Sequence, residues 1–185
     1  MVRTEVIVLN GGSSSGKSSI ARSLQELLVM PWATLGVDDL ISALSPSLVG
    51  GSPPLSGRTP LLRVGGNGEV IVEAAWRQVE SAWYAGLSAI ARTGLGLIVD
   101  EVLLRGGTAQ RQIADAFEGL ALLWVGVHCD PVVAAAREVG RPGRVAGMAS
   151  SQAVKVHQGV HYDVTVDTTT ASSEDCARTI LAHLR

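Results

Sequence analysis

The sequence predicts an α/β fold in which a five-stranded parallel sheet carries helices on both faces. Three observations predict it. Five short apolar runs alternate with segments of helical period. The first run, in the stretch EVIVLNGGSSSGKSSI from Glu5 to Ile20, passes through a glycine-rich turn straight into a helix. The groups able to do chemistry fall at the carboxyl ends of the runs, the edge where such sheets bind ligands.

The elements follow in order. Val6–Leu9 is continuously apolar, as suits a parallel strand covered on both faces. Gly11, Gly16, Lys17 and Ser18 then satisfy G-x-x-x-x-G-K-[ST], the phosphate-binding P-loop. Gly11, Gly12 and Gly16 let the backbone bend tightly and approach a phosphate. The turn aims successive N–H groups inward, and the following helix adds its positive end. Gly11, Gly12, Ser13, Ser14, Ser15, Gly16, Lys17, Ser18 and Ser19 are therefore the nucleotide-binding candidates. Lys17 can reach the β- and γ-phosphates, and the Ser18 hydroxyl is a natural Mg²⁺ ligand.

Ser19–Val29 is helical, with Ile20, Leu24, Leu27 and Leu28 in step, and Pro31 ends it. Trp32–Val37 is the second strand, followed by Asp38 and Asp39 and a brief helix to Leu44. Residues 46–68 are rich in Gly, Pro and Ser, so they read as a substrate-side loop or a surface insertion, with room for a small hairpin. Val70–Arg92 is the longest helix candidate, with Ile71, Ala75, Val79, Trp83, Leu87 and Ile90 on one stripe. Trp76 and Trp83 share a side, as core or as an aromatic pocket wall.

Leu95–Asp100 is the third strand. An apolar strand ending in acid beside a P-loop is a Walker B arrangement, so Asp100 joins Ser18 as a metal candidate. Thr108–Phe117 is helical, and Ala121–Cys129 is the fourth strand. Asp130 and Pro131 cap a helix to about Val139. Arg137, Arg141 and Arg144 lie around a Gly/Pro-broken segment, 137–147, which suits a lid closing on phosphates or a solvated basic turn. Met148–His157 reads as helix. Val164–Val166 is the fifth strand, near Asp167 and Thr168 on the nucleotide edge, and Ser172 with Asp175 opens the last helix.

Composition bounds the rest. The 185 residues make one domain by length, with 46% hydrophobic residues and a mean hydropathy of +0.28. Fifteen basic against 17 acidic residues, net −2, argue against nucleic acid or an anionic membrane as partner. No apolar run is long enough to span a bilayer, and the N-terminal run reads as a core strand rather than a signal peptide. Cys129 and Cys176 lack C-x-x-C spacing and read as free thiols in a reducing cytoplasm. His157 and His161, with Gly159 between them, read as structural or surface residues rather than a metal pair.

The segments VLNGGSSSGKSSI, PWATLGVDDLI, LIVDEVLL, LLWVGVHCD, GRVAGMA and VHYDVTVDTT resemble the chloramphenicol phosphotransferase family, in the same order over nearly the whole chain. The likeness is most specific in GGSSSGKS followed by GVDDL and poorest over 46–68. The resemblance implies a nucleotide-kinase-like fold, with Mg²⁺ and ATP as phosphate donor and an antibiotic hydroxyl as acceptor. It implies that Asp38 contacts the acceptor hydroxyl as base, and that the arginines of 137–144 belong to a lid. With Lys17 they make the catalytic set. Because the acceptor-side segment is unusually Gly/Pro-rich, other hydroxylated antibiotics, nucleoside or aminosugar-like, stay open beside chloramphenicol. So do small-molecule or nucleotide kinases sharing the fold, GTP as donor, and a homo-oligomeric state. A nucleotide switch fits less well, since the sequence has an acid placed for an acceptor and no evident switch motif.

Overall fold

The computed structural model describes residues 3–50, 57, 59–139 and 147–185. Its main sheet is the expected five-stranded parallel one. The strands β1 (Val6–Asn10), β2 (Trp32–Gly36), β5 (Gly96–Glu101), β6 (Leu122–His128) and β7 (Val164–Asp167) lie in the order β2-β5-β1-β6-β7. Val8 sits opposite Val99 on one side and Trp124 on the other, so β1 is central.

Side-chain alternation divides the core into two layers. Ile7 and Leu9 point to one face, where α1 (Lys17–Leu27) contributes Ile20, Ala21 and Leu24 and α7 (Ser173–Leu181) contributes Cys176, Ala177 and Ile180. Val6 and Val8 point to the other, against Tyr84, Leu87 and Ala91 of α3 (Trp76–Ala91) and Ala109 and Ile113 of α4 (Gly107–Ala116), with Phe117 just beyond it. Each such fully buried aliphatic chain stabilises the fold by about 1.5–3 kcal/mol relative to exposure. Ser172 caps α7 by accepting from the Asp175 amide at 3.1 Å, and Asp130 caps α5 (Pro131–Val139) by accepting from Val132 at 2.8 Å.

Two stretches depart from the expected elements. The helix predicted to begin at Val70 begins at Trp76 instead. Val70–Val72 is strand β4, antiparallel to β3 (Leu62–Val64), with Leu62 opposite Val72 and Val64 opposite Val70. Three consecutive β-branched residues after a Gly-Gly-Asn-Gly turn favour a hairpin over a helix start. Ile71 and Ala75 thereby leave the helical stripe. The second departure is at Met148–His157. Helix α6 ends at Gln152, and a short 3₁₀ turn, Lys155–His157, follows.

Candidate active site

The phosphate loop is held by its neighbours. Gly16 adopts φ 91°, a left-handed conformation that glycine takes without a Cβ penalty. Behind it Thr168, at the end of β7, donates from Oγ1 to the Ser15 carbonyl at 2.7 Å. The hydroxyls of Ser13, Ser14 and Ser15 are buried without a hydrogen-bond partner. Buried polar atoms without partners are costly, and a phosphate entering this concavity would meet them. The loop thus fits the phosphates of a nucleotide on its own geometry.

Lys17 is only 7% exposed. Its Nζ donates to the carbonyls of Gly11 (2.9 Å) and Gly12 (3.0 Å) and lies 3.8 Å from Asp100 Oδ1. Ser18 Oγ donates to Asp100 Oδ2 at 2.7 Å. The two expected metal ligands are therefore already in contact. Among the described residues no group of three His, Cys, Asp or Glu side chains could hold a metal. Ser18 and Asp100 suit a Mg²⁺ that brings phosphate oxygens and waters as its other ligands.

Asp38 and Asp39 stand in the first turn of α2 (Val37–Ala43) and take different places. Asp39 folds back to accept from the Gly36 amide at 2.7 Å, closing the helix start. Asp38 and Asp39 both line a cavity of about 500 Å³ that also receives Lys17, Ser18 and Asp100. That volume suits a small-molecule ligand. The far wall is apolar: Leu62 and Val64 of β3, Val70 and Val72 of β4, and Trp76. Trp76 also packs with Leu40 and Leu62, so it is core and pocket wall at once.

Four polar residues that the sequence motifs do not mark, Glu101, Tyr84, Glu80 and Arg105, lie in the same cavity. Glu101 follows Asp100 on β5 and therefore points to the opposite face of the sheet. It is 2% exposed, and its Oε1 has no hydrogen-bond partner. Burial first, then the charges of Glu80 and Asp100, push its carboxyl up to about 8. Beside it the Tyr84 hydroxyl is held well above its ordinary value by burial first, and also by Glu101 and Glu80. Glu80 accepts from Arg105, which also donates to Gln112. The only sequence signal for Glu101 is a second acid directly after the Walker B aspartate.

The lid residues divide. Arg141 and Arg144 lie outside the described residues. The Arg137 guanidinium donates to the Thr168 carbonyl at 2.7 Å, to Thr168 Oγ1 at 3.2 Å and to Cys129 Sγ at 3.4 Å, so it is bonded to the residue behind the phosphate loop. Next to it, buried Glu138 accepts from the amides of Gly147 and Ala149, both at 2.8 Å, tying α5 to the start of α6. Gln152 of α6 accepts from the Ser13 amide at 2.8 Å. Neither Glu138 nor Gln152 belongs to any motif; each is legible only in three dimensions. Asp167 is exposed and accepts from the Thr169 amide at 2.7 Å; the Thr169 side chain first, and then this amide, lower its pKa.

His157 and His161 diverge. His157 stacks on His128 with centroids 4.1 Å apart, and its Nδ1 meets the Tyr162 hydroxyl at 2.6 Å. That hydroxyl also accepts from buried Asn10 at 2.6 Å. Burial first, then His128 and Lys17, lower His157 to about 4, so it is neutral at neutral pH. His161 is exposed, and its backbone is tied to Gln110. No helix among the described residues is long and apolar enough to cross a membrane.

Known proteins share the family and the fold of this chain. Two Mycobacterium tuberculosis proteins, from strains CDC 1551 and H37Rv, each named "Putative O-phosphotransferase", are 28% identical over 190 aligned positions, covering 96% of this chain and 81% of theirs. The fold is that of a sugar kinase from Janibacter (TM-score 0.65, 17% identity, 97% of this chain and 93% of that one). It is also that of the Mycobacterium tuberculosis APS kinase solved with AMPPNP and APS (TM-score 0.60, 16% identity, 98% of each chain). The family model of chloramphenicol phosphotransferase-like proteins matches residues 4–185, from before β1 to the last residue. With a phosphate loop, an acid-tipped neighbouring strand and a cavity between them, the chain belongs to the chloramphenicol phosphotransferase-like family and is a phosphotransferase.

Proposed function

We propose that this phosphotransferase moves the γ-phosphate of ATP to a hydroxyl of an antibiotic, with chloramphenicol as the first acceptor to test. The observation that carries the reading is one cavity with Lys17, Ser18 and Asp100 at one end, Asp38 at its side and an apolar wall opposite. Phosphoryl transfer needs mainly positioning and charge stabilisation. The phosphate loop and Lys17 hold the donor. Mg²⁺, held by Ser18 and Asp100, would neutralise phosphate charge there.

Asp38 holds the acceptor hydroxyl in line with the γ-phosphorus and takes its proton as the oxygen–phosphorus bond forms. The bond to the bridging oxygen breaks, and ADP leaves with that electron pair. Asp39, engaged with the Gly36 amide, does not share this task. Arg141 and Arg144 supply charge at the transferring group, while Arg137, bonded to Thr168, anchors the base of that segment.

Mass spectrometry of ATP-dependent reactions with chloramphenicol, nucleoside antibiotics and aminosugars tests the reading. A single added phosphate on an antibiotic hydroxyl is the expected product. Phosphorylation of nucleoside monophosphates or simple sugars alone would overturn the antibiotic assignment while leaving the phosphotransferase.

A further inference from the structure

The cavity beyond the phosphate loop is lined by two sets of different character. One is the β3–β4 hairpin with Trp76, whose lining side chains are aliphatic or aromatic. The other is Glu101, Tyr84, Glu80 and Arg105. Its arginine is already engaged with Glu80 and Gln112. Tyr84 is 2% exposed and lines the cavity beside Glu101. Glu101 retains an oxygen with no partner, in a residue itself 2% exposed. A buried polar atom without a partner is destabilising. Such an atom in the lining of a binding cavity is satisfied when the ligand arrives.

We propose that Glu101 is a specificity-determining residue of the acceptor subsite, hydrogen-bonding a polar group on an otherwise apolar alcohol. Resting on the phosphotransferase reading, it deepens that reading by naming the acceptor's chemical class. Carboxyl side chains from three elements line this space: Asp38 and Asp39 from α2, Glu80 from α3, and Asp100 and Glu101 from β5. Of the described cations that line the cavity, Lys17 sits at the phosphate loop, Arg105 is paired and Arg22 is on the exposed side of α1. An acidic acceptor would meet no described cation at this end beyond the paired Arg105. The matching acceptor is a neutral or cationic amphipathic alcohol. Its apolar body lies under Trp76 and the hairpin valines, and its hydroxyl or amide reaches Glu101 Oε1.

The test compares wild type with Glu101→Gln and Glu101→Leu. Acceptors are chloramphenicol (neutral), an aminosugar antibiotic (cationic), and shikimate and gluconate (acidic), with ATP. The expected result is kcat/KM at least about tenfold higher for neutral or cationic acceptors than for the acids. Glu101→Leu should raise the acceptor KM about tenfold or more, with Glu101→Gln between it and wild type, because an amide still forms one hydrogen bond. KM for ATP and the Mg²⁺ requirement should change by less than about twofold. A preference for shikimate or gluconate overturns the inference while leaving phosphotransfer intact. So does an unchanged acceptor KM in Glu101→Leu, or a defect repaired by excess Mg²⁺, which would make Glu101 a support of the metal site. If Glu101→Leu does not fold, Glu101→Gln decides alone. If no acceptor is phosphorylated, the antibiotic reading fails, and equilibrium dialysis of chloramphenicol with AMPPNP decides the anchor separately. Weaker binding to the variants supports it; equal or absent binding overturns it.

Discussion

The two ends of the cavity are built by different means. The phosphate end is made largely of backbone: a glycine turn, the start of α1, and two side chains, Lys17 and Ser18, within bonding reach of their partners. The acceptor end is made of side chains from α2, the β3–β4 hairpin, α3 and β5, several of them distant in sequence. A backbone-built site is dictated by a short local pattern, because amides point where φ and ψ send them. A side-chain-built site depends on which elements the fold brings together. The first is general to phosphate chemistry; in the function proposed here, the second decides what receives the phosphate.

Substitutions can break this contrast. The largest effect is expected at Lys17. Lys17→Ala removes a buried charge-assisted contact to the transferring phosphate, so kcat/KM should fall at least about a hundredfold with every acceptor alike. An acceptor-dependent loss would show that the two ends are not separable.

Next is Asp38, where the ends meet. Asp38→Asn preserves shape and removes the charge, so kcat should fall about a hundredfold while ATP affinity and the Mg²⁺ optimum hold. Asp39→Asn should cost far less activity, because its carboxylate, although in the cavity lining, is already engaged by the Gly36 amide. Equal losses in the two variants, measured by steady-state kinetics, would undo the assignment of roles.

A smaller, purely acceptor-side effect is expected at Trp76. Trp76→Leu should raise acceptor KM by roughly tenfold through lost aromatic contact, with KM for ATP unchanged. If ATP affinity drops equally, the wall belongs to both ends.

The smallest effect concerns stability behind the phosphate loop. His157 is held near 4, below its ordinary 6.5, so as pH falls the unfolded chain takes up a proton first. Its contribution is complete above about pH 6.5 and is lost as pH falls toward 4. Wild-type Tm should therefore drop between pH 7 and pH 5 by more than that of His157→Asn. Parallel curves from calorimetry would remove His157 as the source.

What the sequence made legible follows the same division. The five strands could be read because each is a short, mainly apolar run, interrupted only by single residues such as Thr34 and Thr165, and Lys17, Ser18 and Asp100 because their spacing and strand context are diagnostic. Val70–Val72 could not, since three apolar residues before a helical stripe carry both periods at once; only the pairing with Leu62–Val64 decides between them. Glu101 was visible as the second acid of a pair but carried no role until Tyr84 and Glu80 were found beside it. Glu138 and Gln152 gave no signal, because a capping carboxylate or amide has meaning only once its distant N–H partners are known. The chemistry at Asp38 rests on family resemblance and on its place in the cavity, two supports that the Asp38→Asn measurement joins.

The β3–β4 hairpin forms a sheet of its own, hydrogen-bonded strand to strand and not to the main sheet. Two three-residue strands are marginal by themselves. Their amides should exchange with deuterium through local opening, well before those of β1, and slow when an acceptor packs beneath them. The separation also has an evolutionary meaning. A wall that shares no ladder with the phosphate machinery can be recut by a few substitutions at Leu62, Val64, Val70 and Val72, so a lineage can change its target molecule while inheriting its catalytic engine intact.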